Sequence, residues 1–138
     1  RTQRIEHALE LTVLRTEVVS PLRHAVRLVD RDQREAAEAR LEVTRTLAGF
    51  GRCEIVLEAV AEKLAVKREV LGALARQAGP DALLATNTSS LSVDAIAEGL
   101  PRPERVVGIH FFNPVRKMPL VEVVRGRLTD DESVARAS

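Results

Sequence analysis

The sequence predicts an α/β domain with a largely parallel sheet and helices on both of its faces. Three observations carry the prediction. Short apolar runs over residues 55–57, 82–86 and 105–111 lack the in-out alternation of a half-solvated strand and read as strands covered on both sides. The segment between the first two runs has helical periodicity, and Gly79-Pro80, Pro101 and Pro103 punctuate the chain where elements must stop.

Residues 1–50 read as mainly helical and residues 51–138 as alternating strands and helices, all within one partial domain. Over residues 4–19, Ile5, Leu9, Val13 and Val19 recur at near-helical intervals with charges between them. Ser20 and Pro21 suit an N-cap and a first helical position for a second helix over 21–29, and Asp32 with Glu35 repeats the capping signal before an alanine-rich stretch at 36–41. The first strand follows Cys53. Leu64, Val66, Val70, Leu71 and Leu74 then lie on one stripe of a helix over 63–78, which Gly79-Pro80 ends. After the strand at 82–86, Ser92 caps a short helix over 93–98. The third strand spans 105–111, a fourth spans 120–124, and residues 131–138 read as a helix that has only begun. With Arg rather than Met at position 1, both ends read as cut.

Composition narrows the function. The 138 residues are 45% hydrophobic and 30% charged, with 21 basic against 20 acidic side chains and a net charge of +1. That is an ordinary globular balance with no field to hold nucleic acid or an anionic membrane, so any phosphate must be met by a local site. No apolar run approaches the roughly 20 residues of a membrane span, and no signal-like pattern opens the chain, so a cytoplasmic protein is expected. The lone Cys53 opens an apolar run without metal-ligand spacing and reads as structural.

In an open α/β sheet ligands lie beyond the carboxyl ends of the strands, so the residues just after each apolar run matter most. These are Glu58, Glu62 and Lys67 after the first strand, Asn87, Thr88, Ser89 and Ser90 after the second, and His110, Asn113 and Pro114 around the end of the third. His110 taken alone reads as a core histidine bonded to a carbonyl. Glu122 interrupts Leu120, Val121, Val123 and Val124, where a buried carboxylate would need a partner. A strand, a loop and a returning strand would bring it to His110, giving the carboxylate-imidazole pairing used by a general base. The other reading of Glu122 is an edge-strand residue facing water. The run 87–90 supplies hydroxyl and amide donors, which are also the ordinary material of turns. A glycine-rich phosphate loop is excluded from these residues, because the first glycine is Gly49.

Residues 55–67 (IVLEAVAEKLAVK), 85–92 (ATNTSSLS) and 108–126 (GIHFFNPVRKMPLVEVVRG) resemble the 3-hydroxyacyl-CoA dehydrogenase family, closely from about residue 41 to 133. The third segment is the most specific: a histidine, two phenylalanines, Asn-Pro, then a glutamate twelve positions after the histidine. The resemblance implies an incomplete Rossmann-like domain, NAD as cofactor, and oxidation of an L-3-hydroxyacyl-CoA to the 3-ketoacyl-CoA in fatty acid metabolism. It assigns His110 as the base, Glu122 as its orienting partner, Ser89 to the substrate beside the nicotinamide, Asn113 to the cofactor, and Glu62 and Lys67 to the cofactor's ribose end. The acyl-CoA is the implied partner, with a homodimer for the complete enzyme. The strand, glycine turn and second strand that open the family's domain do not match here, nor does its later helical domain. The expectation is therefore part of an enzyme, which by itself binds NAD weakly and exposes the edge of its first strand. The alternative is a catalytically inert module retained for folding or association.

Overall fold

The computed structural model describes residues 49–138 except 116 and 119, together with Glu35, Ala39 and Leu47. The helices expected over 4–19, 21–29 and 36–41 lie outside the described residues, apart from a helical Glu35 and a turn at Ala39.

A four-stranded sheet runs in the spatial order β1 (Ile55–Glu58), β2 (Leu83–Thr86), β3 (Val106–Phe111), β4 (Val121–Arg125). β1, β2 and β3 are parallel, with Leu57 opposite Ala85 and Thr86 opposite Gly108. β4 returns antiparallel to β3. The expectation of a largely parallel sheet holds, and each strand begins within a residue of its expected position.

Helices cover both faces because successive side chains of the central strands point to opposite sides. Val56, Leu84 and Val106 pack on one face with Leu71 and Leu74 of α1 (Leu64–Gln77) and with Val93 and Ile96 of α2 (Val93–Ala97). Leu83, Ala85, Val107 and Ile109 turn the other way, towards Ala137 of α3 (Asp131–Ala137). All of the central-strand residues among these are at most 7% exposed, so the apolar core forms two layers with the sheet between them.

The sequence signals act where they were read. The amide of Ala78 closes α1 on the Leu74 carbonyl immediately before Gly79-Pro80. The Ser92 hydroxyl accepts from the Ala95 amide to open α2, satisfying one of the helix's unpaired donors. Arg105, expected in the third strand, instead ends a 3-10 turn over Pro103–Arg105. Its guanidinium donates to the carbonyls of Gly79 and Ala82, which fixes the turn leading into β2.

Two edges differ from the interior. Among the described residues nothing pairs with the outer edge of β1, and Leu57 is 40% exposed there. β4 decides between the two readings of Glu122. Val121, Glu122, Val124 and Arg125 are exposed and only Val123 is half-buried, so Glu122 stands on an edge strand facing water. An edge strand has one sheet neighbour, and α3 reaches only part of one face. Its hydrophobic residues therefore stay open to solvent.

Candidate active site

Because β1, β2 and β3 are parallel, their carboxyl ends meet on one edge of the sheet. An open cleft of about 360 Å³ lies there, lined among others by Val60, Glu62, Asn87, Ser89, His110 and Asn113. Five of the residues singled out from the sequence, Glu62, Asn87, Ser89, His110 and Asn113, thus come together from three separate strand ends.

His110 and Glu122 meet through sheet register. They are direct partners across β3 and β4, and His110 Nδ1 lies 3.0 Å from Glu122 Oε2. A carboxylate only accepts hydrogen bonds, so this contact places the ring proton on Nδ1 and leaves the Nε2 lone pair to take another. The imidazole is 18% exposed and the carboxylate 51%. The pair therefore stands at the rim of the cleft, and burial of Glu122 is not what joins it. The Phe112 ring leans on His110 at a centroid distance of 4.6 Å and further limits the imidazole's rotation.

Glu62 sits in the loop after β1 and clamps the turn after β2. Its Oε1 accepts from the Thr88 hydroxyl, the Ser89 amide at 3.1 Å, and both the amide and hydroxyl of Ser90. Its Oε2 lies 3.4 Å from Lys67 Nζ. The Thr88 hydroxyl above all, helped by the Ser89 amide, Lys67 and the Ser90 amide, outweighs the opposing effect of desolvation and holds the Glu62 carboxyl at about 2 against an ordinary 4.5.

Lys67 does not line the cleft. Its side chain is fully buried beneath it, contacting both Glu58 oxygens at 3.2 Å and donating to the Asn87 carbonyl at 2.7 Å. It reaches the cleft through the lining residues it holds, Glu62 and the Asn87 carbonyl. The Glu58 carboxylate is buried as well and also takes the Val60 amide at 3.1 Å and the Thr86 hydroxyl. The sequence placed Glu58 at a strand end but gave no sign of its burial. Thr88, whose hydroxyl also accepts from the Leu91 amide at 2.9 Å, was legible only as turn material.

Comparison with known proteins gives this arrangement a context. A family model described as "3-hydroxyacyl-CoA dehydrogenase, NAD binding domain" matches residues 5–138. Among solved structures, 3-hydroxybutyryl-CoA dehydrogenase from Escherichia coli K12 is 41% identical, with a TM-score of 0.73 over 78% of this chain and 23% of that one. FadB2 of Mycobacterium tuberculosis is 43% identical, with a TM-score of 0.72 over 78% of this chain and 38% of its own. The (S)-3-hydroxybutyryl-CoA dehydrogenase PaaH1 from Ralstonia eutropha is 34% identical, with a TM-score of 0.71 over 77% and 38%. The chain therefore corresponds to well under half the length of each of these three.

Proposed function

Because the chain belongs to the 3-hydroxyacyl-CoA dehydrogenase family, matching its NAD-binding domain, we propose that its residues serve the oxidation of an L-3-hydroxyacyl-CoA to the 3-ketoacyl-CoA. The observation that carries this reading is the 3.0 Å contact between His110 Nδ1 and Glu122 Oε2 at a cleft on the carboxyl ends of parallel strands.

The residues suit a nicotinamide nucleotide. The cleft is lined by the apolar residues Ala59 and Val60 together with Asn87, Ser89 and Asn113, a mixture that suits a flat ring with polar substituents. Bound there, NAD supplies the acceptor for the hydride leaving C3 of the substrate. Asn113 and Ser89 would hold it, with Glu62 and Lys67 at its ribose side, Lys67 acting from beneath through Glu62. His110 Nε2 removes the proton from the substrate hydroxyl as the C3 carbonyl forms. Glu122 keeps the imidazole in the tautomer this requires and offsets the positive charge that appears on it. Ser89 hydrogen-bonds the reacting oxygen and fixes C3 in place, which matters because hydride transfer depends on close positioning and needs no nucleophile.

Fatty acid β-oxidation is the process we assign, from the family's substrates. No described helix is long and apolar enough to cross a membrane, and we assign the protein to the cytoplasm. A homodimer of the complete enzyme is proposed on the family resemblance alone.

The test is steady-state oxidation of L-3-hydroxyacyl-CoA thioesters by a complete enzyme carrying these residues, followed by NADH formation. Turnover that His110→Ala abolishes supports the assignment. NAD binding without turnover of any chain length overturns it and favours an association module.

A further inference from the structure

Glu58 has no part in the chemistry proposed above, yet it is among the most deeply buried side chains described, 1% exposed at the end of β1. A buried carboxylate-ammonium pair gains little stability over well-packed apolar residues of similar size, so stability alone gives weak grounds for one at a strand end. Its connections are more informative. Lys67 Nζ has three hydrogens, set among both Glu58 oxygens, the Asn87 carbonyl and Glu62 Oε2. Lys67 therefore ties the loop after β1 to the end of β2, and Glu58 sets where its ammonium stands. Glu62 then passes that placement on. Its Oε2 faces Lys67 and its Oε1 gathers the Thr88 hydroxyl with the amides of Ser89 and Ser90.

We infer that Glu58 is a positioning residue for the cofactor side of the cleft: through Lys67 it fixes Glu62, and through Glu62 the turn that presents Ser89. The inference rests on the proposed contact of Ser89 with the cofactor. Each oxygen of Glu62 already has a protein partner, so Glu62 acts mainly as the clamp on this turn. Neutralising Glu58 frees the ammonium to move towards Glu62 and Asn87, which displaces the clamp by breaking the geometry on both of its oxygens. The turn then loses its fixed position, although no residue touching the cleft has been changed.

The experiment is a double-mutant cycle in a complete enzyme carrying these residues, read as the Kd for NAD by calorimetry. Glu58→Gln, which keeps the side chain's volume, and Ser89→Ala should each weaken NAD by roughly tenfold. The double variant should be no weaker than Glu58→Gln alone, because a displaced Ser89 has nothing left to lose. Penalties that multiply, or unchanged affinity in either single variant, overturn the inference. Should Glu58→Gln fail to fold, Glu58→Asp, which draws the carboxylate back from Lys67 while keeping its charge, takes its place in the same cycle, with the same outcomes. The Kd does not depend on turnover. A parent enzyme that binds NAD but oxidises no 3-hydroxyacyl-CoA therefore counts against the proposed reaction, while uncoupled penalties count against the relay.

Discussion

His110 and Glu122 face each other as register partners of β3 and β4, with 3.0 Å between Nδ1 and Oε2, although the carboxylate is half open to solvent. In a complete enzyme His110→Ala should lower kcat by roughly 10²- to 10⁴-fold, the usual cost of losing a general base. Glu122→Gln keeps the size but offers an amide that can present either end to the ring, so it should lower kcat less while leaving the acyl-CoA KM within about threefold. Steady-state kinetics on both variants checks this. An active His110→Ala enzyme would remove the catalytic assignment.

Gly108 sits two residues before His110, where β3 passes tightly under its neighbours. A Cβ there would stand 2.8 Å from Val124 Cβ and 3.1 Å from Val93 Cγ2. Gly108→Ala should therefore destabilise the fold by about 1 to 3 kcal/mol through overpacking. Activity should fall further than stability requires, because Val124 lies on β4 with Glu122. Denaturant midpoints together with kcat measured well below the unfolding transition separate the two effects.

Glu62 makes stability acid-sensitive. Its folded pKa, about 2, lies below the ordinary 4.5, so its contribution is present in full above pH 4.5 and is lost as pH falls towards 2. The side chain is 37% exposed, so solvent screens the effect and keeps it small. Unfolding midpoints of the parent should drop between pH 4.5 and pH 2 more steeply than those of Glu62→Gln. Parallel curves over that range would mean the clamp is not held as described.

Leu71 is fully buried between α1 and the sheet, one turn beyond Lys67 on the same helix. Leu71→Ala should cost about 2 to 5 kcal/mol, the range for emptying a tight core site. Chemical denaturation measures it directly. A loss below about 1 kcal/mol would show that the helix can close over the gap.

Much of the fold was readable because local signals and tertiary structure agree. The stripe from Leu64 to Leu74 and the Gly79-Pro80 stop give α1 to within a residue, and Ser92 caps α2 as its position suggests. What the sequence misjudged depends on neighbours that a pattern cannot supply. Leu120, Val121 and Val124 are apolar but exposed, because β4 has a strand on one side only among the described residues. The pairing of Glu122 with His110 was expected from a returning strand, and strand register produces it, although Glu122 is not buried as its apolar neighbours suggested. Lys67 was assigned to the cofactor's ribose end by the family resemblance, and the matching Glu58 that makes its burial tolerable is nine residues away on another element.

The antiparallel return of β4 also bears on how the chain can change length. The twelve-residue interval between His110 and Glu122 is not itself the requirement, since what aligns the two is the ladder from Val107 opposite Arg125 to Phe111 opposite Val121. An added residue or two between Val115 and Leu120, both of which are exposed and outside the cleft lining, can be absorbed as a longer loop with the ladder intact. A single deletion inside β3 or β4 has a different result, for it carries one of the two side chains to the opposite face of the sheet. Homologous chains should therefore vary in loop length between the strands while their strand registers stay in step, and an alignment that scores the interval rather than the register will misplace the glutamate.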